Sequence, residues 1–276
     1  MKRLIAAALC CIGIVSSSCL GEQSPTDDLS QIVSAVAEGV AWVFTDFTLC
    51  LQLSGAIDYA NPTTRAFVLG TVHPSHSGDF NIAQVCDFWE VCQAQWLYFS
   101  DPQGLFADFT PASVTIHNYG LRGDCDDFAT VIAAGVRGLG GNAMVRCEHA
   151  STSGHAYTEV YIGSDEKTAA ANLFYVLVRY GLTLGDVATG DVGVRLTSDW
   201  GYWLNLDWSA NRPGGHYWAA ANQITESHYF PFSASFLWAF PFPLNAPGTS
   251  SVVAIIASEF IPAQVQAALS MTPSGK

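Results

Sequence analysis

The sequence predicts a mixed domain in which helices come first, antiparallel strands follow, and a cysteine-bearing helix stands between them. Three stretches carry that expectation. "GDCDDFATVIAAGVRGLGG" opens on acids and continues with apolar residues at helical spacing. "AMVRCEH" and "HAYTEVYI" flank the turn-rich "ASTSG", which is a hairpin pattern. "GYWLNLDWS" adds a third alternating segment.

The chain begins "MKRLIAAALCCIGIVSSSCLGEQ", with Lys2 and Arg3 ahead of an apolar run from Leu4 to Val15 and small residues up to Cys19. That is the layout of a secretory signal, placed at residues 1–18, and the run is too short for a stable membrane span. "VSSSC" resembles a bacterial lipobox, so Cys19 is the expected lipidation site and residues 19–28 a tether. An ordinary signal-peptidase cut is the alternative, since Ser16 and Ser18 suit it equally. The expected location is extracytoplasmic: a membrane-anchored lipoprotein, periplasmic or at the cell surface, or else a secreted protein.

With the leader removed, about 258 of the 276 residues remain, enough for one large domain, residues 29–220, and a C-terminal extension, residues 221–276. Half of the chain is apolar and 13% is charged, so a sizeable core is affordable. The formal net charge is −13, which argues against nucleic acid and against anionic lipid surfaces as partners. A lipid on Cys19 is the expected link to a membrane.

"DDLSQIVSAVAEGVAWVF" reads as a first helix, "DYANPTTR" and "HPSHSGD" as loops, and "FNIAQVCDFWEVCQAQWLYF" as a second helix stopped by "SDPQG". His73, His76 and Asp79 have ligand-like spacing, but in so turn-rich a stretch they are expected to face solvent rather than a metal. Between the second and third strands an insertion at about 163–199 holds a helix from Glu166 to about Tyr180, expected to be a lid or a specificity element.

Cys10 and Cys11 leave with the signal, so Cys50, Cys86, Cys92, Cys125 and Cys147 remain. Setting Cys125 aside leaves four cysteines and three possible pairings. Cys86 and Cys92 lie on different faces of one helix, too far apart to bond each other. Reduced core thiols are the open alternative to disulfides.

The cysteine helix begins with Asp124 as N-cap, Cys125 on the first turn and Asp127 over the exposed amides. At ~100° per residue, Phe128, Ala129, Ile132 and Val136 share the Cys125 side, while Asp126, Thr130 and Arg137 share another. The thiol is therefore expected on the packed side and Asp126 on the outer one. A helix start favours a nearby anion by only ~0.3 to 1 kcal/mol, too little to make a good nucleophile, so Cys125 needs a partner base. His155 supplies it, heading a strand face with Tyr157, Glu159 and Tyr161, and Asp207 in the third strand can orient the imidazole.

In this order, G-D-C-x-D, then "GHAYTEV", then "WLNLDWS", the chain resembles the transglutaminase-like superfamily, closest to its bacterial cysteine peptidases. The preceding "WLYFSDPQGLFADFTPASVTIHNYGLRGDCDD", with its aromatics and "DP", fits as well, and the match covers residues 80–162 and 200–215. The resemblance implies a papain-like α+β fold with the cysteine helix packed on an antiparallel sheet. It implies Cys125 as nucleophile, His155 as base and acid, and Asp207 as orienting residue, with Asp191 and Asp199 as substitutes for the last. The implied activity is hydrolysis of peptide or amide bonds in a protein or peptide substrate. Protein crosslinking and a catalytically silent lipid-anchored scaffold are the alternatives.

Relatives also use an upstream aromatic at the oxyanion, for which Trp89 and Trp96 are candidates, although core packing is the expected role of both. Some relatives bind calcium near the cysteine, which makes Asp124, Asp126 and Asp127 conceivable ligands. Helix capping is the preferred account, and no cofactor is expected. Cys147 and His149 share a strand face and could join Cys125 at a metal, an idea that explains neither the cap nor Asp207.

Overall fold

The computed structural model describes residues 48–100, 109–150, 153–197, 201–220 and 223–232. The signal, Cys19, the tether, the first helix, the "DP" at 101–102, Asp199 and the chain after residue 232 lie outside the described residues. The described residues from Leu53 on belong to one compact unit, of the α+β class. Among the described residues no helix is long and apolar enough to cross a membrane.

Helix α1, Pro62–Thr71, occupies part of the stretch expected as a loop. Its start is a legible signal hidden among turn residues: Asn61 caps it, accepting from Thr63 N at 2.9 Å, and Pro62 sits at the first helical position, where no amide partner is needed. Helix α2, Ile82–Gln95, opens on a reciprocal cap between Asn81 and Gln84, at 3.1 and 3.2 Å. It stops four residues short of the expected end because the aromatic run finds a strand partner: β1, Leu97–Tyr98, pairs in parallel with β2, Arg122–Gly123. A short helix, α3, Ala112–His117, lies between them in sequence.

Helix α4, Cys125–Gly138, is followed by β3, Ala143–Ala150, and β4, Ser153–Gly163, which form the expected hairpin. The insertion contributes α5, Glu166–Tyr180, α6, Leu184–Ala188, and β5, Val194–Thr197; then come β6, Gly201–Asn205, and β7, Ile224–Phe232. These strands make one antiparallel sheet in the order β5-β6-β4-β3-β7. The C-terminal extension therefore begins as an edge strand: residues 224–232 pair with β3 along its length.

Helix α4 packs on β4 and β3 with one side and meets α1, α2 and α3 with the others. This overturns the expected outer face, since Thr130 is fully buried and Asp126 and Arg137 are each 9% exposed. Its apolar side chains, Phe128, Val131, Ile132 and Val136 among them, are at most 1% exposed, each contributing ~1.5 to 3 kcal/mol by burial. At Gly135 the Phe88 ring of α2 fills the space a Cβ would need, which sets how closely the two helices approach.

The insertion is built into the domain rather than laid over it. Arg179 of α5 forks onto Glu90 of α2 at 2.9 and 2.9 Å and reaches Asp87 at 2.8 Å. Asp87 also accepts from His73 N at 2.9 Å and pairs with the His76 ring at 2.6 Å. His76 is thus half-buried in an acid–base network, whereas His73 and Asp79 are exposed as expected.

Candidate active site

The chain enters α4 through a constrained turn. Leu121 adopts φ 60 although it is not glycine, held by a 3% exposed side chain and by two backbone bonds, to Thr115 O at 2.9 Å and from Leu97 N at 3.0 Å. At Gly123 any Cβ would collide with the Asp127 side chain, which folds back over that position. Asp124 then caps the helix, accepting from Asp126 N at 3.4 Å, and Asp126 accepts from Asp127 N at 3.0 Å. The G-D-C order is thereby explained residue by residue: room for Asp127, a cap, and a half-buried thiol on the first turn.

Strand β4 is locked to this helix by Thr158, whose hydroxyl donates to Ala129 O at 2.7 Å, one helical turn after Cys125. That register carries His155 to the helix start. His155 Nε2 lies 2.7 Å from Asp207 Oδ2, and the Cys125 side chain acts on the same ring by hydrogen bond and charge. Burial alone would lower the His155 pKa. The Asp207 carboxylate and the Cys125 side chain outweigh it and raise the value from 6.5 to about 9.

Asp207 stands just beyond β6, not within it. Its carboxylate, 1% exposed, accepts from Ser209 N at 3.1 Å and Ser209 Oγ at 3.0 Å as it caps a 3-10 turn, Trp208–Ala210. Its own amide donates to Asn205 Oδ1 at 3.1 Å. Three bonds to the carboxylate, counting the one from His155, and a fourth from the backbone amide thus aim it at the imidazole. Asp191 is exposed and holds Thr189 Oγ1 at 2.6 Å, away from this constellation.

In sequence, no family model and no curated protein matches the chain. In structure, it aligns with the crystal structure of "a Putative Cysteine Protease from Cytophaga hutchinsonii" at 15% identity and a TM-score of 0.35. The alignment covers 72% of this chain and 58% of that one, so the chain spans less than two thirds of that protein. A superposition this loose assigns no family.

Trp89 is ruled out as an oxyanion donor, because its indole N–H is spent on Leu206 O at 2.9 Å in the core. Trp96 packs edge-on against Phe128 at 5.0 Å, and its buried Nε1 makes no hydrogen bond. Among the described residues one set of side chains suits a metal, Asp124, Asp126 and Asp127, whose ligand atoms lie within 4.8 Å of one another. Two of these carboxylates already accept helix amides, and three oxygens fall short of the six to eight that calcium takes. Cys125, Cys147 and His149 do not form such a set. The five described cysteines form no disulfide. Burial pushes the Cys86 thiol up to about 12 and the Cys92 thiol higher still, so both are inert.

Trp218 was not visible as a site residue. Its ring lies 5.1 Å from that of His155, and its Nε1 donates to Glu148 Oε2 at 3.2 Å. It follows the last clear strand pattern in "NRPGGHYWAA", with no local signal to mark it.

Proposed function

We propose that the chain is a cysteine-dependent acyl-transfer enzyme that hydrolyses peptide or amide bonds. The observation that carries this reading is a single imidazole held by Asp207 at 2.7 Å and engaged by Cys125 at the start of a capped helix. With Nε2 committed to Asp207, Nδ1 is the nitrogen left for the thiol.

His155 takes the proton of Cys125, and the sulfur attacks the substrate carbonyl. The tetrahedral intermediate collapses as His155 returns that proton to the leaving amine, leaving a thioester on Cys125. Water, deprotonated by the same imidazole, then releases the acid and restores the thiol. Asp207 stabilises the imidazolium in both halves. The amide of Cys125 at the α4 start would receive the developing oxyanion, and Trp96, with its unspent N–H, is a candidate second donor. The Tyr98 and Trp208 rings, 5.0 Å apart beside the site, offer an aromatic rim for an extended chain. Water rather than an amine as acceptor rests on the resemblance to the peptidase branch, and export with a lipid on Cys19 rests on the leader alone.

An acyl-type, thiol-directed probe tests the reading. Labelling of the wild type and not of Cys125→Ser or His155→Ala is the expected result; equal labelling of all three sinks it.

A further inference from the structure

Near the site, a cavity of about 380 Å³ opens on the sheet face headed by His155, and Trp218, against the His155 ring, donates to Glu148 of its lining. Its charged floor comes from Arg146 and Glu148 of β3 and Arg195 of β5, and Tyr217, Ser227 and Tyr229 add to the walls. Nothing in the proposed acyl transfer uses these groups.

The bonding pattern decides what the cavity can take. Glu148 Oε1 accepts Arg146 at 3.1 and 2.8 Å and Ser227 Oγ at 3.2 Å, while Oε2 takes Trp218. Glu159, fully buried behind the floor, accepts Tyr217 Oη at 2.8 Å and Arg195 Nε at 3.3 Å. Glu226 lines the cavity at its rim and is engaged by His228 at 3.0 Å. The acids are therefore saturated, shielded or paired.

Arg195 differs from them. Its Nε goes to Glu159, its Nη2 to the Tyr157 hydroxyl at 3.3 Å and, at 4.0 Å, toward Glu148 Oε1, while no hydrogen bond among the described residues uses Nη1. At 15% exposed it is the most accessible charge of the buried cluster, and Tyr217 covers one face of its guanidinium at 4.5 Å. The lining thus presents two guanidiniums against the saturated Glu148 and, at the rim, Glu226 paired with His228, and Arg195 Nη1 is the donor to spare.

We propose that this cavity binds a carboxylate of the substrate through Arg195. A guanidinium with a free edge pairs with a carboxylate by charge-assisted hydrogen bonds. The inserted segment is then a specificity element, since it delivers both Val194 and Arg195 to the pocket. The carboxylate can be a free C-terminus or an acidic side chain. This assignment rests on the proposed peptide substrate, but its test needs no turnover.

Binding is measured by calorimetry on the full chain carrying Cys125→Ala. The probes are acetylated trialanine with a free or amidated C-terminus, and an acetylated, amidated alanine pentapeptide with a central Glu or Gln. One charged member should bind at least ~10-fold tighter than its neutral twin, and which pair shows the gap identifies the source of the carboxylate. Arg195→Lys, which keeps a cation beside Glu159 but not the guanidinium fork, should erase that gap while circular dichroism shows the fold retained. Equal binding within both pairs, or a gap that survives Arg195→Lys, overturns the pocket and leaves the Cys125 chemistry standing. Loss of probe labelling at Cys125 with the gap intact overturns the chemistry and leaves the pocket.

Discussion

The two faces of the five-stranded sheet are made by the same strands and hold opposite chemistry. On one, Ala156, Val160 and Ile162 of β4 are at most 6% exposed, and Thr158 spends its hydroxyl on α4. On the other, one residue out of step, stand His155, Tyr157 and Glu159, with Arg146 and Glu148 beside them. The first face needs only to exclude water. The second must satisfy every charge it buries, and a buried ion pair is weak evidence for stability because desolvation offsets much of the attraction. So costly a face is better explained by what it binds than by what it stabilises. The seam between the faces is where Cys125, from the helix, meets His155, from the charged row.

Breaking the seam gives the largest expected effect. Cys125→Ala and His155→Ala should each lower kcat/KM by on the order of 10,000-fold or more, and the double variant should be scarcely worse, since the two act as one unit. Additive losses in steady-state kinetics on a peptide amide would argue that the two sides work independently.

The charged face should next prove brittle where the apolar face is tolerant. Glu159→Gln leaves Arg146 and Arg195 short of an anion and should cost ~3 to 5 kcal/mol in urea unfolding. Ile132→Val under the other face should cost ~0.5 to 1.5 kcal/mol. Comparable losses would erase the distinction.

A proton at the seam ties stability to pH. His155 titrates at about 9 in the fold against 6.5 unfolded, so its contribution is fully present below pH 6.5 and is lost as pH rises through about 9. The wild-type thermal midpoint should fall across that window more steeply than that of His155→Gln. The proposed general acid is lost over the same range, so kcat/KM should decline near pH 9.

The smallest effect separates capping from metal binding at the helix start. Asp124→Ala should cost ~0.5 to 2 kcal/mol, and a chelator should leave wild-type activity unchanged. Activity lost to chelator and restored by calcium would make the acid cluster a metal site.

What could be read from the residues alone was whatever neighbours in sequence determine. The Asp124 cap, the β3–β4 hairpin and α5 are local patterns, and they were placed to within a residue or two. Cys125 and His155 were legible as candidates because each sits in its own helix or strand frame, whereas Asp207, expected within the third strand, stands just beyond it. Strand β7 was missed because its pairing with β3 joins segments about eighty residues apart, and β1 because two residues make no pattern without β2. The all-round burial of α4 was missed because a helix's own spacing does not record how many neighbours stack on it. The pocket was invisible for the same reason: Arg146, Arg195 and Tyr217 converge only through the sheet order.

Trp218 turns this geometry into an optical signal. An indole 5.1 Å from an imidazole emits less light when that ring is a cation, so the chain carries a built-in dye for the state of its own base. The difference in emission between the wild type and Trp218→Phe should brighten as His155 gives up its proton near pH 9, allowing the proposed catalytic centre to be watched without any substrate in the cuvette.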